Sequence, residues 1–450
     1  MMMRCDVAIK RLGLAALALG AALPAMAQEA TDTAAAVAGP VMDKGDVAWM
    51  MTSTVLVLFM TLPGLALFYG GLVRSKNMLS VLMQTTIIAC MVMVIWVVYG
   101  YSVSFGGGTS PYWGGFGKLF LAGVTAESMA PTFSPGFVIP EYLFIVFQMT
   151  FAAIAPALII GAFAERVKFK AVLAFSALWV TFVYFPVAHM VWDANGLLYV
   201  MGAIDFAGGT VVHINAGIAA LVGCLVIGKR VGLGRENMAP HSMVMTMIGA
   251  SMLWVGWFGF NVGSNLEANG GATLVMINTF IATAAATLAW TALEGLQRGK
   301  ASMLGAASGM VAGLVAITPA CGTVGPLGAI ALGVIAVLVC YFFVTVVKNR
   351  FCYDDSLDVF GVHGVGGIVG AVGTGIFSAA SLGGVKGEGY AIAAQTLIQI
   401  EAVAITVVWS GAISFVIYKL VDWAMGLRVD NDTERQGLDL ISHGEQAYHG

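Results

Sequence analysis

Charge is what this sequence has least of. Only 10% of its 450 residues are Asp, Glu, Lys or Arg, against 59% hydrophobic, and the net charge is −3. Mean hydropathy is +0.90. No soluble globular class has that balance, so the chain is expected to be a polytopic membrane protein in contact with lipid. With no basic excess, nothing argues for nucleic acid as a partner. Cysteine is scarce as well: there are six, without paired spacing. Cys90, Cys224, Cys321 and Cys340 fall in or beside apolar runs, as small hydrophobes rather than a disulfide framework or metal site. Neither a His-Glu-x-x-His helix nor a nucleophile elbow is present, so no enzyme and no cofactor are expected.

Long apolar runs are abundant. Beyond a polar lead-in at 28–46 they fall at 47–71, 79–105, 137–163, 169–192, 206–228, 241–263, 272–296, 301–319, 327–347, 358–378 and 394–421. Each is about the length a helix needs to cross a bilayer, which predicts an all-α protein of eleven transmembrane helices. Many of the 57 glycines lie inside these runs, where small residues let helices approach. Residues 1–27 resemble a secretory signal peptide. Arg4, Lys10 and Arg11 precede the short run Leu12–Leu23, and Ala25-Met26-Ala27 offers a small-residue cleavage site. The rival reading, a retained first span, has an apolar stretch too short to cross comfortably.

Basic residues alternate between connections. One side holds Arg74, Lys76, Arg166, Lys168, Lys170, Lys229, Arg230, Arg235, Arg298, Lys300, Lys348 and Arg350, with Lys419, Arg428 and Arg435 at the end. The other holds Lys44, Lys118 and Lys386. This places the mature N-terminus outside and residues 422–450 in the cytoplasm, as an inner-membrane protein with an odd helix count requires.

One sequence pattern occurs twice. Asp205 precedes His213 by eight positions, and Asp355 precedes His363 by the same eight; a Val comes before each His, and a Gly follows four later. Eight helical residues rise about 12 Å, close to half the roughly 30 Å hydrocarbon core, so an Asp at the surface sets its His near the midplane. His213 lies in the fifth run and His363 in the tenth, which run in opposite directions. The pattern predicts an inverted five-plus-five repeat, 47–228 and 241–378, with 394–421 as an extra helix and the two imidazoles meeting at the interface. Either histidine alone would be read as a packed residue bonded to a backbone carbonyl; the matched pair points to function.

These residues carry a family resemblance. Asp205-Phe-Ala-Gly-Gly-Thr-Val-Val-His213-Ile-Asn, Gly256-Trp-Phe-Gly-Phe-Asn261 and Asp358-Val-Phe-Gly-Val-His-Gly364 closely resemble the bacterial ammonium transporters of the Amt/Mep/Rh superfamily. Ala164-Glu-Arg166, His189-Met-Val-Trp192, Thr318-Pro-Ala-Cys321 and Gly426-Leu-Arg-Val429 are similar to the same family. The resemblance implies a periplasmic ammonium site at Phe151, Trp192 and Ser264, and a gate of stacked rings, Phe151 and Phe260. It also implies a pore past His213 and His363, with Trp257 a weaker candidate for the lining. The physics fits: ammonium matches potassium in size, so selection falls to N–H donation and to cation–π contact worth about 2 kcal/mol when desolvated. Asp205 either coordinates the cation or caps the fifth helix and adds negative potential; Asp355 or Asp358 caps the tenth. His189 is assigned to packing near Trp192, and His241 to the inner end of the sixth span. Methylammonium is the natural analogue substrate. The resemblance further implies a homotrimer and a tail that helps dock PII-type signalling proteins. An ammonium sensor with little flux and a channel for another neutral gas are the alternatives.

Overall fold

The computed structural model describes residues 40–449; the expected signal segment 1–27 and positions 28–39 of the lead-in lie outside the described residues. Among the described residues, ten helices are long and apolar enough to cross a membrane, and a further apolar helix is shorter. In chain order we label them α1 (Lys44–Leu72), α2 (Ser75–Phe105), α3 (Glu141–Phe163), α4 (Phe169–Val200), α5 (Gly209–Ile227), α6 (Met243–Gly263) and α7 (Gly270–Arg298). There follow the shorter α8 (Met303–Ile317), then α9 (Pro326–Phe351), α10 (Phe360–Phe377) and α11 (Ile392–Met425). The tail adds α12 (Asn431–Gln436).

Among the described residues a small sheet interrupts the helical architecture. A three-stranded sheet joins β1 (Val41–Met42), β2 (Met129–Pro131) and β3 (Phe137–Pro140), in the order β1-β3-β2. Positions 137–140, expected to open the third span, are therefore strand, and α3 begins at Glu141. The turn Thr132-Phe-Ser-Pro-Gly136 folds β2 back on β3, with Gly136 at φ +83° where other residues are strained.

Packing follows side-chain size. α6 lies along α1, α7 along α8 and α9, and α11 against α5 and α10. The helices of His213 and His363 cross in contact: a methyl on Gly217 would overlap the Gly364 backbone. The outer surface is apolar, with Val408, Phe415 and Trp423 of α11 exposed, as lipid-facing positions require. The inner face of α11 carries polar contacts: Ser410 donates to the Asn215 carbonyl at 2.8 Å, and Ser414 accepts from the Trp179 indole at 3.1 Å.

The tail packs against one end of the bundle, which we call the tail face. Lys168 N–H donates to the Leu427 carbonyl at 2.9 Å, and Val429 N–H to the Arg166 carbonyl at 3.1 Å. The Asp439 carboxylate accepts from the N–H groups of Leu79 and Ser80 at 3.0 and 2.8 Å, satisfying donors at the start of α2.

Candidate functional site

The site is built where α5 and α10 begin. Gly208, at φ +106°, turns the chain into α5. The Asp205 carboxylate accepts from the N–H groups of Gly208, Thr210 and Val211 at 3.0, 2.8 and 3.0 Å. Asp355 does the same for α10, accepting from Val359 and Phe360 at 3.0 and 2.8 Å. Asp358 is not the cap: its carboxylate bonds Lys348 at 2.6 Å. Burial raises both capping acids, against the backbone N–H groups that favour ionisation. Asp355, with Asp358 beside it, is pushed up to about 6.

Each helix then opens with a π-helical turn, Gly209–Ile214 and Phe360–Gly364, and each turn carries its histidine. The two rings meet. His363 Nδ1 lies 3.2 Å from His213 Nδ1, with ring centroids 5.3 Å apart and planes 27° from parallel. One ring donates and the other accepts, so the pair holds one shared hydrogen. His213 Nε2 is buried without a hydrogen bond among the described residues, and His213 lines a narrow cavity that also touches Leu158, Trp257, Phe260 and His363. A wider cavity of about 180 Å³ on the tail face also reaches His363, with Tyr69 and Asp358 in its wall.

Aromatic rings cover the other end. Trp257 stacks on His213 at 5.2 Å, its indole N–H fixed on the Thr318 hydroxyl at 2.9 Å. Phe260 lies 5.8 Å from His213 and stacks on Phe151 at 4.1 Å, planes 24° apart. Trp192 stands edge-on to Phe151 at 5.9 Å and donates its indole N–H to the Asp205 carbonyl at 3.0 Å. Ser264 caps α6 and donates its hydroxyl hydrogen to the Phe260 carbonyl at 2.8 Å, which leaves the oxygen's lone pairs as acceptors. From the end opposite the tail face toward the centre, the structure lines up Trp192, the Phe151–Phe260 stack, then Trp257 and the histidine pair, with Ser264 one helical turn past Phe260.

The Ammonium Transporter Family profile matches residues 48–448. The chain belongs to the ammonium transporter family. Relatives agree over most of the length. An ammonium transporter of Aquifex aeolicus (strain VF5) is 47% identical over 414 residues, covering 90% of this chain and 94% of its own. Ammonium transporter Amt1 of Archaeoglobus fulgidus is 42% identical over 408 residues, covering 90% and 100%. Among solved structures, Candida albicans Mep2 superposes with a TM-score of 0.80 at 34% identity, over 90% of this chain and 91% of that one. A structure titled Sensor Amt Protein superposes with a TM-score of 0.81 at 28% identity, over 89% and 98%. His189 bonds the carbonyls of Ser104 and Ser110 at 2.8 Å each. His241 bonds the Val73 carbonyl at 2.8 Å and the tail's Tyr448 hydroxyl at 2.9 Å. Two nearby residues had no sequence signal, Phe147, edge-on to Phe151 at 5.0 Å, and Glu267; Phe206, which lies inside the Asp205 motif but was given no role there, stacks with Phe133 at 6.4 Å.

Proposed function

We propose that this member of the family recruits ammonium at Phe151, Trp192 and Ser264 on the periplasmic side of a cell inner membrane. The ion loses a proton near the Phe151–Phe260 gate, and ammonia passes His213 and His363 and is reprotonated in the cytoplasm. The observation that carries the reading is the 3.2 Å meeting of two imidazoles directly beneath stacked phenyl rings. An intact cation meets a high desolvation barrier in such a lumen, whereas neutral ammonia does not. The unpartnered His213 Nε2 and the shared hydrogen of the pair give ammonia polar contacts without trapping it. Asp205 acts indirectly, since its carboxylate is occupied by three backbone N–H groups.

The wider reading is an inverted five-plus-five repeat of α1–α5 and α6–α10 with α11 outside, eleven spans in all. The basic connections and the tail face the cytoplasm. Three such chains form a homotrimer, and the docked tail presents a surface for a PII-type protein. Support for the repeat comes from the matched Asp caps and π-helical turns that open α5 and α10.

The test is uptake of methylammonium, and of ammonium by internal pH change, into liposomes holding purified protein. Trp192→Ala is expected to raise the half-saturating concentration, and His213→Ala and His363→Ala to lower the maximal rate. Wild-type flux in both histidine variants would sink the mechanism. The likeness to a protein titled as a sensor favours one second reading, binding with little flux; wild-type protein that binds methylammonium but does not transport it would establish that instead.

A further inference from the structure

One buried carboxylate beside the recruitment site has no part in the mechanism above. Glu267 lies three residues beyond Ser264 and is 4% exposed. Its oxygens accept from the Ser134 N–H at 2.7 Å, the Ser134 hydroxyl at 2.6 Å and the Asn269 amide at 2.6 Å. It joins no ion pair among the described residues. Burial alone would raise its carboxyl, but these donors hold it below the ordinary range, so it stays ionised.

The position of Ser134 gives those bonds their meaning. It sits in the β2–β3 hairpin turn, closed by Thr132 N–H on the Phe137 carbonyl at 3.0 Å and Phe137 N–H on the Ser134 carbonyl at 3.1 Å. Downstream, β3 runs straight into α3, the helix of Phe151. At the tip, Phe133 stacks on Phe206, the neighbour of the Asp205 carbonyl that holds Trp192. One turn therefore touches all three sources of the recruitment site. The loop after Ser264 needs such support, because Leu266 is held at φ +60°, a left-handed conformation that costs a non-glycine residue energy. Asp46 grips the loop from α1, accepting from Ala268 N–H at 2.7 Å, while Asn265 donates to the Glu267 carbonyl at 3.0 Å and to Asn269 at 2.9 Å.

We infer that Glu267 is a positioning residue for ammonium recruitment: clamped to the Ser134 hairpin, it fixes the loop that sets the Ser264 hydroxyl against the aromatic wall. The inference rests on the proposed recruitment role of Ser264. The experiment is methylammonium uptake by the full chain in liposomes, with half-saturation and maximal rate measured separately. Glu267→Gln is expected to raise the half-saturating concentration roughly three- to tenfold, and Ser134→Ala about threefold, with maximal rates kept within about twofold. If Glu267 acts through Ser264, adding Glu267→Gln to Ser264→Ala shifts half-saturation by less than about twofold further. Full additivity in the double variant, or unchanged half-saturation in Glu267→Gln where Ser264→Ala shifts it, overturns the inference. No shift in Ser264→Ala alone overturns the recruitment reading itself, so the two failures are distinguishable. Should Glu267→Gln fail to fold, Ser134→Ala, which keeps the carboxylate, decides the matter in the same double-variant comparison.

Discussion

Trp257 shows how much of the pore depends on one hydrogen bond. Its ring forms a platform for His213, and the only partner of its indole N–H among the described residues is the Thr318 hydroxyl. Thr318 is itself anchored on the Leu314 carbonyl at 2.7 Å. Thr318→Val keeps the shape but leaves a buried donor unmet, which costs about 1–3 kcal/mol. We expect a lower melting temperature in detergent and slower methylammonium uptake. A variant that matches wild type in both would remove Thr318 from the account. The positions of the rings were legible in the sequence because each lies in a compact motif: equal Asp-to-His spacing marked His213 and His363, and the Gly-Trp-Phe-Gly-Phe-Asn run marked Trp257 and Phe260. Glu267 was not legible, nor was the contact made by Phe206, although that residue lies inside the Asp205 motif. Their partners, Ser134 and Phe133, sit in a loop far away in sequence, and only the folded hairpin brings them together.

The crossing of α5 and α10 sets the distance between the histidines. Gly217 lies one turn beyond His213, and a Cβ there would run into Gly364, the residue after His363. Gly217→Ala must therefore push the two helices apart at the level of the rings. Overpacking of this kind costs typically about 1–3 kcal/mol. We expect uptake to fall by roughly tenfold or more, equivalent to at least 1.4 kcal/mol on the barrier, while the protein still purifies as a folded species. Full uptake in Gly217→Ala would mean that the ring separation does not govern conduction. Among the helices, existence was easier to read than extent. Apolar runs announced every one of α1–α11, yet α9 reaches Phe351 and α11 reaches Met425, past the apolar stretches at 327–347 and 394–421. Their last turns carry Lys348, Arg350, Asp422 and similar residues, which hydropathy discounts but the helix accepts at its end. The sheet was invisible for the opposite reason. Its strands are only two to four residues long, and β1 pairs with β3 across some 90 positions, so neither strand length nor local pattern betrays the sheet.

At the scale of the whole molecule, a layer of buried ion pairs holds the tail-face connections and the tail together. Glu165 pairs with Arg74 at 2.8 Å and with Arg230 at 3.5 Å, and Arg230 pairs with Asp354 at 2.8 Å. The tail joins through Glu434, which accepts from Val231 N–H at 2.6 Å and from Arg428 at 2.8 Å. Arg230 is thus the shared cation for two carboxylates that are each 1% exposed. Arg230→Ala leaves Glu165 with Arg74 alone and Asp354 with only Arg166, at 4.0 Å, and breaking a buried pair by removing one partner costs about 3–5 kcal/mol. Burial alone would raise both acids. For Glu165 the guanidiniums of Arg230 and Arg74 outweigh it, and for Asp354 the hydrogen bonds and charge of Arg230 with Arg166, so both lie below the usual carboxylate range. The sign follows from linkage. A lowered folded pKa contributes stability that is present above the unfolded value of about 4 and lost as pH falls through the folded one. The gap in melting temperature between wild type and Arg230→Ala should therefore be largest at neutral pH and hold down to about pH 5. It should close progressively below about pH 4, where protonated Glu165 and Asp354 no longer need a cation. A gap that stays constant from pH 7 to pH 3 would show that Arg230 acts through packing rather than through its charge.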